Sequence, residues 1–430
     1  MLFRSILFIC LPTILHAQKN KTLVNGAKQQ SEKPKLVIGL VIDQMRWDYL
    51  HRYKNEYTGK GFLELMRNGF SCDNTMITHI PTYTAVGHTG VYTGSYPSIH
   101  GIVGNEWYDR NSGKTIYCTE DSTAHAVGGS QKAGAMSPRN MLTTTITDEL
   151  RMSNEFWSRV IGISMKDRGA ILPTGHSANA AYWYDDSTGT MMSSDYYMKQ
   201  LPEWVNKFNK ESRPEKYLRS GWNTLLPIDL YVNSTDDDMP FEGNLSGTKQ
   251  RHFPYEFNPD SLKINKTFRS TPMGSTYCFD FAKKAIESEQ LGKRQYTDFL
   301  ALSISSTDYI GHTFGPNSIE NQDAYMRLDG DIADFIKYLD EKIGKGNYLL
   351  FLTADHGVAH NPTYLNQHNI PAGIFKGEAT MKILNDSILE RFKIKDALAA
   401  LENYQLYYSK RFMTRSEEHT SELQSRQYLV

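Results

Sequence analysis

Acidic and histidine side chains follow several apolar segments of this chain, and their types and spacing suggest a metal site. Asp355 and His356 are adjacent, whereas Asp308 and His312 are four residues apart, which places both on one face of a helix. Mixed carboxylate and imidazole ligands suit Zn²⁺, while Mg²⁺ and Ca²⁺ prefer shells made entirely of oxygen atoms. A helix cap beside a surface histidine would explain Asp355 and His356 alone. It would not explain why such residues recur after separate apolar segments, with Asp43 as the fifth.

A hydroxyl group that could act as a nucleophile lies in residues 78–94, which read THIPTYTAVGHTGVYTG. Pro81 and the residues after it indicate a loop that enters a helix. Thr84 would begin that helix, where backbone N–H groups and the helix dipole favour an anion. Coordination to Zn²⁺ would favour the alkoxide form of such a hydroxyl. An ordinary N-cap threonine is the alternative, and the spacing leaves Thr82 and Thr89 as rival nucleophiles.

Four apolar segments rich in β-branched residues would position these side chains. Near-continuous apolar runs are typical of parallel strands that are buried on both faces. Residues 325–343 have apolar residues at three- and four-residue spacing, which predicts a helix. Alternating strands and helices predict an α/β fold, a three-layer sandwich on a mostly parallel sheet, with ligands beyond the carboxyl ends of the strands. The segments are KLVIGLVIDQM (residues 35–45), SRVIGISMKDRGA (158–170), DFLALSISSTDYIGH (298–312) and NYLLFLTADHG (347–357).

Composition along the chain suggests a core interrupted by an insertion. We expect residues 36–185 to form the first part of a catalytic core and residues 298–414 to form its second, incomplete part. Residues 186–297 are rich in Tyr, Asn, Pro and charged residues and lack clean apolar runs. We therefore expect these residues to form an inserted cap over the site.

Both ends of the chain have features unrelated to this core. Residues 1–17 combine one arginine, a short apolar run and a small residue before Gln18, which predicts a cleaved signal peptide. No other segment reaches 18 apolar residues, so we expect a periplasmic or secreted chain without a membrane anchor. Residues 415–425, RSEEHTSELQS, match the translation of a sequencing adapter. We therefore expect residues 415–430 to be an artefact and the natural core to continue beyond residue 414.

The overall composition narrows the choice of partners. A formal net charge of −1 gives no indication of a nucleic-acid or membrane-surface partner. Without the signal peptide three cysteines remain, Cys72, Cys118 and Cys278. This odd number permits one disulfide and one free thiol in an oxidising compartment and does not indicate the pairing. We expect a monomer that acts on small molecules.

Five motifs together resemble the alkaline phosphatase superfamily over residues 35–414. The likeness is greatest to the phosphate-irrepressible bacterial alkaline phosphatases, which use a threonine nucleophile and are related to the nucleotide pyrophosphatase/phosphodiesterases. The motifs are VIDQMRWDYL, IPTYTAVGHTGVYTGSYPSIHGIVGNEWYD, SMKDRGAI, SSTDYIGHTFGP and LTADHGV.

This resemblance implies a phosphatase with two zinc ions. Thr84 would attack phosphorus to form a phosphothreonine, which water would then hydrolyse. The two metal ions would activate the nucleophile and stabilise the leaving-group oxygen. One Zn²⁺ would be held by Asp43, Thr84, Asp355 and His356, and the other by Asp308 and His312.

Three further residues imply that the substrates are phosphate monoesters. By resemblance, Asn105 in IVGNEWYD donates to a phosphoryl oxygen, and Lys166 and Arg168 in MKDRGA hold the phosphoryl group. A monoester dianion carries more charge than a diester, and a lysine with an arginine supplies matching charge. For the Lys-x-Arg motif a solvated turn is the alternative. A phosphodiesterase or nucleotide pyrophosphatase of the same superfamily, or an inactive truncated metal-binding fragment, is the alternative function.

The chain departs from the family pattern at one metal ligand. The family has a further metal-binding histidine in a His-x-Pro-Leu-like segment late in the chain, and no such segment occurs here. His360 and His368 lie too near the LTADHGV motif to replace it, and His419 lies in the adapter-like segment. The second Zn²⁺ would then have two protein ligands, where catalytic zinc typically has three. We therefore expect this chain to bind its second Zn²⁺ poorly and to be slow or inactive.

Overall fold

A central sheet built around the four predicted apolar segments organises the structure. The computed structural model describes residues 33–245, 249–410 and 412–413, so the predicted signal peptide and the adapter-like segment lie outside the described residues. Its strands are β1 (Leu36–Ile42), β2 (Glu106–Asp109), β3 (Lys114–Tyr117), β4 (Ala126–Val127), β5 (Val160–Ser164), β6 (Ala180–Asp185), β7 (Thr190–Ser194), β8 (Asp298–Ile304), β9 (Tyr348–Thr353), β10 (Leu398–Glu402) and β11 (Gln405–Tyr408).

The sheet has the order β4, β7, β6, β5, β8, β1, β9. Strands β6, β5, β8, β1 and β9 are parallel, and β7 and β4 extend the sheet in antiparallel pairing. In the middle, Leu40 of β1 lies opposite Leu302 of β8 and Leu352 of β9. The four predicted segments are thus the adjacent strands β5, β8, β1 and β9, and their carboxyl ends share one edge. The predicted α/β fold with a mostly parallel sheet is confirmed.

Helices connect the strands. Two short 3₁₀ helices span Leu172–Thr174 and Ile228–Leu230. A π-helical turn, Asp340–Gly344, forms the end of the helical region predicted at residues 325–343. The α-helices are α1 (Tyr49–Arg52), α2 (Phe62–Asn68), α3 (Thr84–Thr93), α4 (Pro97–His100), α5 (Gln131–Gly134), α6 (Ile146–Met152), α7 (Asp167–Ile171), α8 (Glu203–Glu211), α9 (Pro214–Leu218), α10 (Ile264–Arg269), α11 (Pro272–Ser288), α12 (Ser306–Phe314), α13 (Ile319–Leu339), α14 (Pro362–Gln367) and α15 (Gly377–Phe392).

The two faces of the sheet pack against different helices, which makes the three layers. Leu40 belongs to the largest hydrophobic cluster, together with Phe281 of α11 and Leu328 of α13. Val41, the next residue of β1, points to the other face and packs with Tyr92 of α3. Alternation along the strand therefore buries β1 on both sides, and each fully buried large apolar side chain contributes about 1.5–3 kcal/mol.

Residues 186–297, expected to form a cap, contribute to the main core at both ends. Strand β7 pairs with β6 in the central sheet, and α8 and α11 pack in the largest hydrophobic cluster. The expected boundaries are therefore too wide, because β7 (TMMSS) is too short and too polar to stand out as an apolar run. Residues 219–245 and 249–263, here called the insertion segment, instead contribute Trp222 and Tyr255 to a separate cluster with α12 and α13.

Strand β9 differs from the prediction of burial on both faces. It lies at the edge of the sheet, and the side chain of Leu349 is 54% exposed. Within the described residues β9 pairs only with β1. Its carboxyl end, in contrast, is buried, because Asp355 and His356 lie under α3 and α12 rather than on the exposed edge.

Two further expectations concern cysteines and membranes. Cys72 is exposed, Cys118 and Cys278 are buried, and all three are free thiols in the described part of the chain. Burial raises the pKa of Cys118 and of Cys278 to about 12, so both thiols stay protonated at neutral pH. None of the helices formed by the described residues has the length and apolar character that crossing a membrane requires.

Candidate active site

Three carboxylates and one imidazole meet at the carboxyl edge of β8, β1 and β9. Asp43 directly follows β1, Asp308 lies in the first turn of α12 after β8, and Asp355 and His356 follow β9. The Nε2 atom of His356 lies 3.4 Å from Asp43 Oδ1, 3.6 Å from Asp355 Oδ2 and 3.9 Å from Asp308 Oδ1. Ligand atoms of Asp43, Asp308 and His356 all lie within 4.8 Å of one another. This spacing allows one metal ion to contact all three.

The hydrogen bonding of these carboxylates fits a cation. Asp43 Oδ1 and Asp355 Oδ2 are buried and accept no well-aligned hydrogen bond, and their nearest donors are ring nitrogens, His356 Nε2 at 3.4 Å and His88 Nδ1 at 3.1 Å respectively. The other oxygen of Asp355 accepts from the backbone N–H groups of Gln44 (3.1 Å) and His356 (2.9 Å). Burial alone would raise the pKa of Asp355, but His356 and His88 outweigh it and hold the pKa at about 2. Asp355 is therefore ionised, and its Oδ2 faces the two imidazole rings.

The imidazole of His356 is held in place through its other nitrogen. Nδ1 lies 2.8 Å from the carbonyl oxygen of Gly357, which leaves Nε2 facing the carboxylates. Burial lowers the pKa of His356, whereas Asp355 and Asp43 raise it to about 9. A proton on His356 Nε2 thus balances the negative charge of the neighbouring carboxylates, as a metal ion bound there would.

Gln44 cross-links the carboxylates, and sequence reasoning missed it. Its φ angle is +67°, in the left-handed region that non-glycine residues seldom adopt. This conformation directs its backbone N–H to Asp355, while its side-chain Nε2 donates to Asp308 Oδ1 at 2.8 Å. The only signal in the sequence was its position directly after Asp43.

His88 is a second residue that the sequence analysis did not identify. It is fully buried, and its Nδ1 lies 3.1 Å from Asp355 Oδ2 and 2.9 Å from the carbonyl oxygen of Thr84. Its Nε2 lies 2.8 Å from Ser303 Oγ of β8. Gly87 allows this close packing, because a side chain there would overlap the backbone of Asp355. The four-residue spacing from Thr84 on a helix was the signal that could have revealed His88.

The structure separates the three threonines that the sequence left as alternatives. Thr84 is the first residue of α3, is 3% exposed, and has its Oγ1 3.5 Å from His356 Nε2. The hydroxyl of Thr89 instead donates to the backbone oxygen of Ala85 at 2.7 Å, and Thr82 is exposed. Among the three, Thr84 is the one whose hydroxyl faces the cluster.

Asn105 lies beside the amino end of α3. Its Oδ1 accepts from the backbone N–H of Ala85 at 3.0 Å, so one of the free N–H groups at the start of the helix is satisfied by this side chain. Because Oδ1 is the acceptor in this contact, the Nδ2 donor of the amide is not used by it. Thr84, the start of α3 and Asn105 therefore form one side of the site.

Lys166 lies between the predicted metal ligands and is almost fully buried. Its Nζ is 2.8 Å from Asp43 Oδ2, 2.5 Å from Asp308 Oδ2 and 3.3 Å from Thr84 Oγ1. Burial lowers the pKa of Lys166, but Asp43 and Asp308 more than compensate and raise it above the ordinary value. In this arrangement the ammonium group neutralises two carboxylates at once.

Arg168 is the second residue of α7, two residues after Lys166. Its Nη1 donates to the hydroxyl of Tyr117 at 2.8 Å and lies 3.9 Å from Asp167 Oδ1. Burial lowers the pKa of Arg168, but Tyr117 and Asp167 raise it well above its ordinary range. Its Nε is buried without a partner, so the guanidinium retains a donor for an additional acceptor.

His312 lies at the open side of the cluster. Its Nε2 is 3.2 Å from Asp308 Oδ1, and its side chain is 69% exposed. The four-residue spacing on α12 therefore brings the two side chains together, as the sequence pattern predicted.

Tyr309, the residue after Asp308 in the chain, contacts two cations through its ring. Lys166 Nζ lies 5.0 Å from the ring centroid and Arg269 Cζ lies 4.3 Å from it. Sequence reasoning identified neither Tyr309 nor Arg269, since their roles depend on contacts between distant segments.

Comparison with known proteins finds relatives over most of the chain. Alkaline phosphatase PafA of Elizabethkingia meningoseptica is 47% identical over 387 residues, which cover 90% of this chain and 71% of that protein. Alkaline phosphatase PhoV of Synechococcus elongatus is 50% identical over 397 residues, or 91% of this chain and 71% of PhoV. A protein of Myroides odoratus described as a calcium-transporting ATPase is 53% identical over 388 residues, or 89% of this chain and 70% of that protein.

Solved structures agree with these relatives. The crystal structure of wild-type PafA matches with a TM-score of 0.86 and 47% identity, covering 90% of this chain and 74% of that chain. A PafA variant with a threonine, an asparagine, a lysine and an arginine substituted matches with a TM-score of 0.87. Residues 37–420 match the family described as type I phosphodiesterase / nucleotide pyrophosphatase. The resemblance inferred from the motifs is confirmed, and the chain belongs to this family within the alkaline phosphatase superfamily.

Proposed function

We propose that the complete protein is a zinc-dependent alkaline phosphatase that hydrolyses small-molecule phosphate monoesters through a phosphothreonine intermediate. One observation carries this proposal: a buried threonine hydroxyl at the start of α3 faces both an ammonium group and the imidazole of a buried carboxylate and histidine cluster. The alkaline phosphatase relatives PafA and PhoV support the reaction class.

The residues fit a metal centre with mixed oxygen and nitrogen ligands. Zn²⁺ bound there would supply positive charge that favours the Thr84 alkoxide and the leaving-group oxygen. The two buried carboxylate oxygens that accept no well-aligned hydrogen bond support this assignment, as does the orientation of His356 Nε2. We assign one ion to Asp43, Thr84, Asp355 and His356, and the other to Asp308 and His312.

Thr84 is the proposed nucleophile. Its oxygen attacks phosphorus while the bond to the ester oxygen breaks, which yields the alcohol and a phosphothreonine. Water then attacks the same phosphorus, releases inorganic phosphate and restores the hydroxyl. Lys166 already donates to Thr84 Oγ1 and therefore favours its deprotonated form, and the start of α3 favours the negative charge that accumulates on the phosphoryl oxygens.

Asn105, Lys166 and Arg168 are proposed to hold the phosphoryl group. The side chain of Lys166 is 1% exposed and that of Arg168 is 17% exposed, and Arg168 Nε is a buried donor that remains for an oxygen acceptor. Two cations suit a dianion better than the single charge of a diester. This charge balance is our reason for preferring monoesters as substrates.

A phosphodiesterase or nucleotide pyrophosphatase is the second candidate function, because the family that matches residues 37–420 is described in those terms. Comparing kcat/KM for 4-nitrophenyl phosphate, bis-4-nitrophenyl phosphate and ATP separates the candidates. ATP belongs in the set because one relative is described as an ATPase. A preference for the diester would replace the monoesterase assignment.

The nucleophile is tested by trapping the intermediate. Zinc-loaded protein is mixed with 4-nitrophenyl phosphate, quenched in acid and digested, and the phosphorylated peptide is located by mass spectrometry. We expect phosphate on Thr84 in the wild type and in Thr82→Ala, and none in Thr84→Ala. Unchanged turnover by Thr84→Ala would refute the proposed mechanism.

Two expectations about the chain as a whole stay proposals. We propose that it acts outside the cytoplasm, on the basis of the signal-like residues 1–17, which lie outside the described residues. We also propose that the second metal position lacks a third protein ligand in this chain. Zinc content per folded chain, measured after dialysis against trace Zn²⁺, tests the second proposal, because two tightly held ions would contradict it.

A further inference from the structure

Three acidic residues that influence one another electrostatically, here called the junction, lie outside the candidate active site, in the insertion segment and in α13. Asp237 and Glu242 belong to the segment, and Glu320 lies in the first turn of α13. One oxygen of each is hydrogen-bonded: Asp237 Oδ2 by the N–H of Phe253 (3.0 Å), Glu242 Oε2 by the N–H of Met239 (3.1 Å), and Glu320 Oε1 by the hydroxyl of Tyr255 (2.5 Å).

The other oxygen of each carboxylate is buried and has no partner. The unpaired atoms are Asp237 Oδ1, Glu242 Oε1 and Glu320 Oε2. Glu320 is fully buried, and Glu242 is 5% exposed. Leaving such an oxygen both dry and unpaired is costly, and the cost grows when similar groups lie close to one another. Three such atoms at one junction therefore indicate a missing positive partner.

The electrostatics of the junction agree with this geometry. Burial and the charge of Glu320 raise the pKa of Glu242 to about 8. Burial also raises the pKa of Glu320 to about 8, with Asp237 adding to the effect. Arg251 of this segment pairs with Asp238 at 2.9 Å, so its charge is already partly compensated.

We propose that Asp237, Glu242 and Glu320 bind a divalent cation that prefers oxygen ligands, with Ca²⁺ as the best match. Three carboxylates without imidazole or thiol form a hard ligand set, unlike the mixed set of the active site. Ca²⁺ also tolerates irregular coordination, which suits ligands drawn from an irregular segment and a helix, whereas Mg²⁺ demands near-octahedral geometry.

Binding would draw the insertion segment towards α13. Among the described residues, only Asp43, Asp308 and His356 have ligand atoms within 4.8 Å of one another, so the three carboxylates of the junction must approach to share an ion. Asp237 and Glu242 can do so because they lie outside regular secondary structure. The N–H of Gly243 donates to the carbonyl oxygen of Thr313 in α12 at 2.7 Å, so the ion would also brace the helix that carries Asp308 and His312.

The test measures Ca²⁺-dependent stability of the full chain, kept in saturating Zn²⁺ so that Ca²⁺ does not enter the active site. We expect Ca²⁺ in the millimolar range to raise the Tm of the wild type by about 3 °C and equilibrium dialysis to find one bound Ca²⁺ per chain. Glu320→Gln and Glu242→Gln should lose both effects. Glu256→Gln, a change at an exposed position of the same segment, should keep them.

Both variants are chosen so that folding is preserved. Glutamine at position 320 can still accept from Tyr255, and because the pKa of Glu320 is raised to about 8 the side chain it replaces is mostly neutral without a cation, so the Tm without Ca²⁺ should stay close to that of the wild type. No Tm change and no bound Ca²⁺ in the wild type would overturn the proposal, as would equal gains in Glu320→Gln. Neither result bears on phosphatase activity, because these residues lie outside the proposed catalytic site.

Discussion

Replacing Lys166 by methionine should have opposite consequences for the metal-free and the metal-loaded protein. The lysine ammonium group is buried to 1% side-chain exposure against Asp43 at 0% and Asp308 at 4%. Methionine retains most of the volume and removes the charge, so two buried carboxylates lose their partner. Removing one member of a buried ion pair costs about 3–5 kcal/mol.

A bound Zn²⁺ would supply positive charge to the same carboxylates. We therefore expect Lys166→Met to lower the free energy of unfolding by about 3–5 kcal/mol in chelator and by about 1 kcal/mol or less in saturating Zn²⁺. The destabilisation caused by the substitution is thus about 3 kcal/mol smaller in Zn²⁺ than in chelator. Linkage then requires Zn²⁺ to bind the variant about 100-fold more tightly than it binds the wild type. Turnover of monoesters should fall even so, because the variant lacks a phosphate-binding cation.

Urea unfolding followed by tryptophan fluorescence, with and without Zn²⁺, measures this difference. Lys382→Met is the matched control, since Lys382 pairs with Asp386 at 2.7 Å on the surface, with side chains 77% and 62% exposed. That exposed pair is screened by solvent, so the control variant should unfold like the wild type under both conditions. Equal destabilisation of Lys166→Met with and without Zn²⁺ would refute the reasoning that lysine and metal compensate the same carboxylates.

Three other predictions follow from the site. Arg168→Lys should lower kcat/KM for a monoester by about tenfold or more and affect a diester less, because a bidentate donor is lost; an unchanged monoester-to-diester ratio would contradict this. His88→Ala should weaken Zn²⁺ binding about 10- to 100-fold in chelator competition, because Asp355 loses a supporting contact, whereas His125→Ala, an exposed histidine 3.0 Å from Asp195, should not. In chelator, the pKa of His356 is raised to about 9, so its contribution to stability is complete below about pH 6.5 and is lost as the pH rises through about 9. Urea unfolding across this range should show the decline, and His356→Gln should flatten it.

Local patterns in the sequence were enough to predict the sheet and the edge at which the candidate site lies. Near-continuous apolar runs are typical of parallel strands covered by helices, and polar residues at the carboxyl ends of neighbouring parallel strands lie at one edge. The motifs around Thr84, Lys166, Asp308 and Asp355 also identified the superfamily. These features are local, so composition and spacing were sufficient to predict them.

Contacts between the side chains of the site depend on packing between distant parts of the chain. The choice of Thr84 over Thr82 and Thr89 depends on which hydroxyl α3 turns towards His356, a residue 272 positions away. The same holds for Gln44, whose contact with Asp355 spans 311 positions. Neither partner leaves a periodic signal in the sequence, because such pairs form only once the strands are adjacent.

The limits of the insertion also depend on contacts between distant segments, which the sequence does not reveal. Strand β7 is recognisable through its pairing with β6, and its own five residues carry too little apolar character to predict it. The buried carboxylates of the insertion segment likewise look like a solvated acidic loop in sequence. Their burial results from packing against α12 and α13, and burial is what turns ordinary acidic residues into candidate ligands, because an unpaired carboxylate away from water requires a cation or a proton.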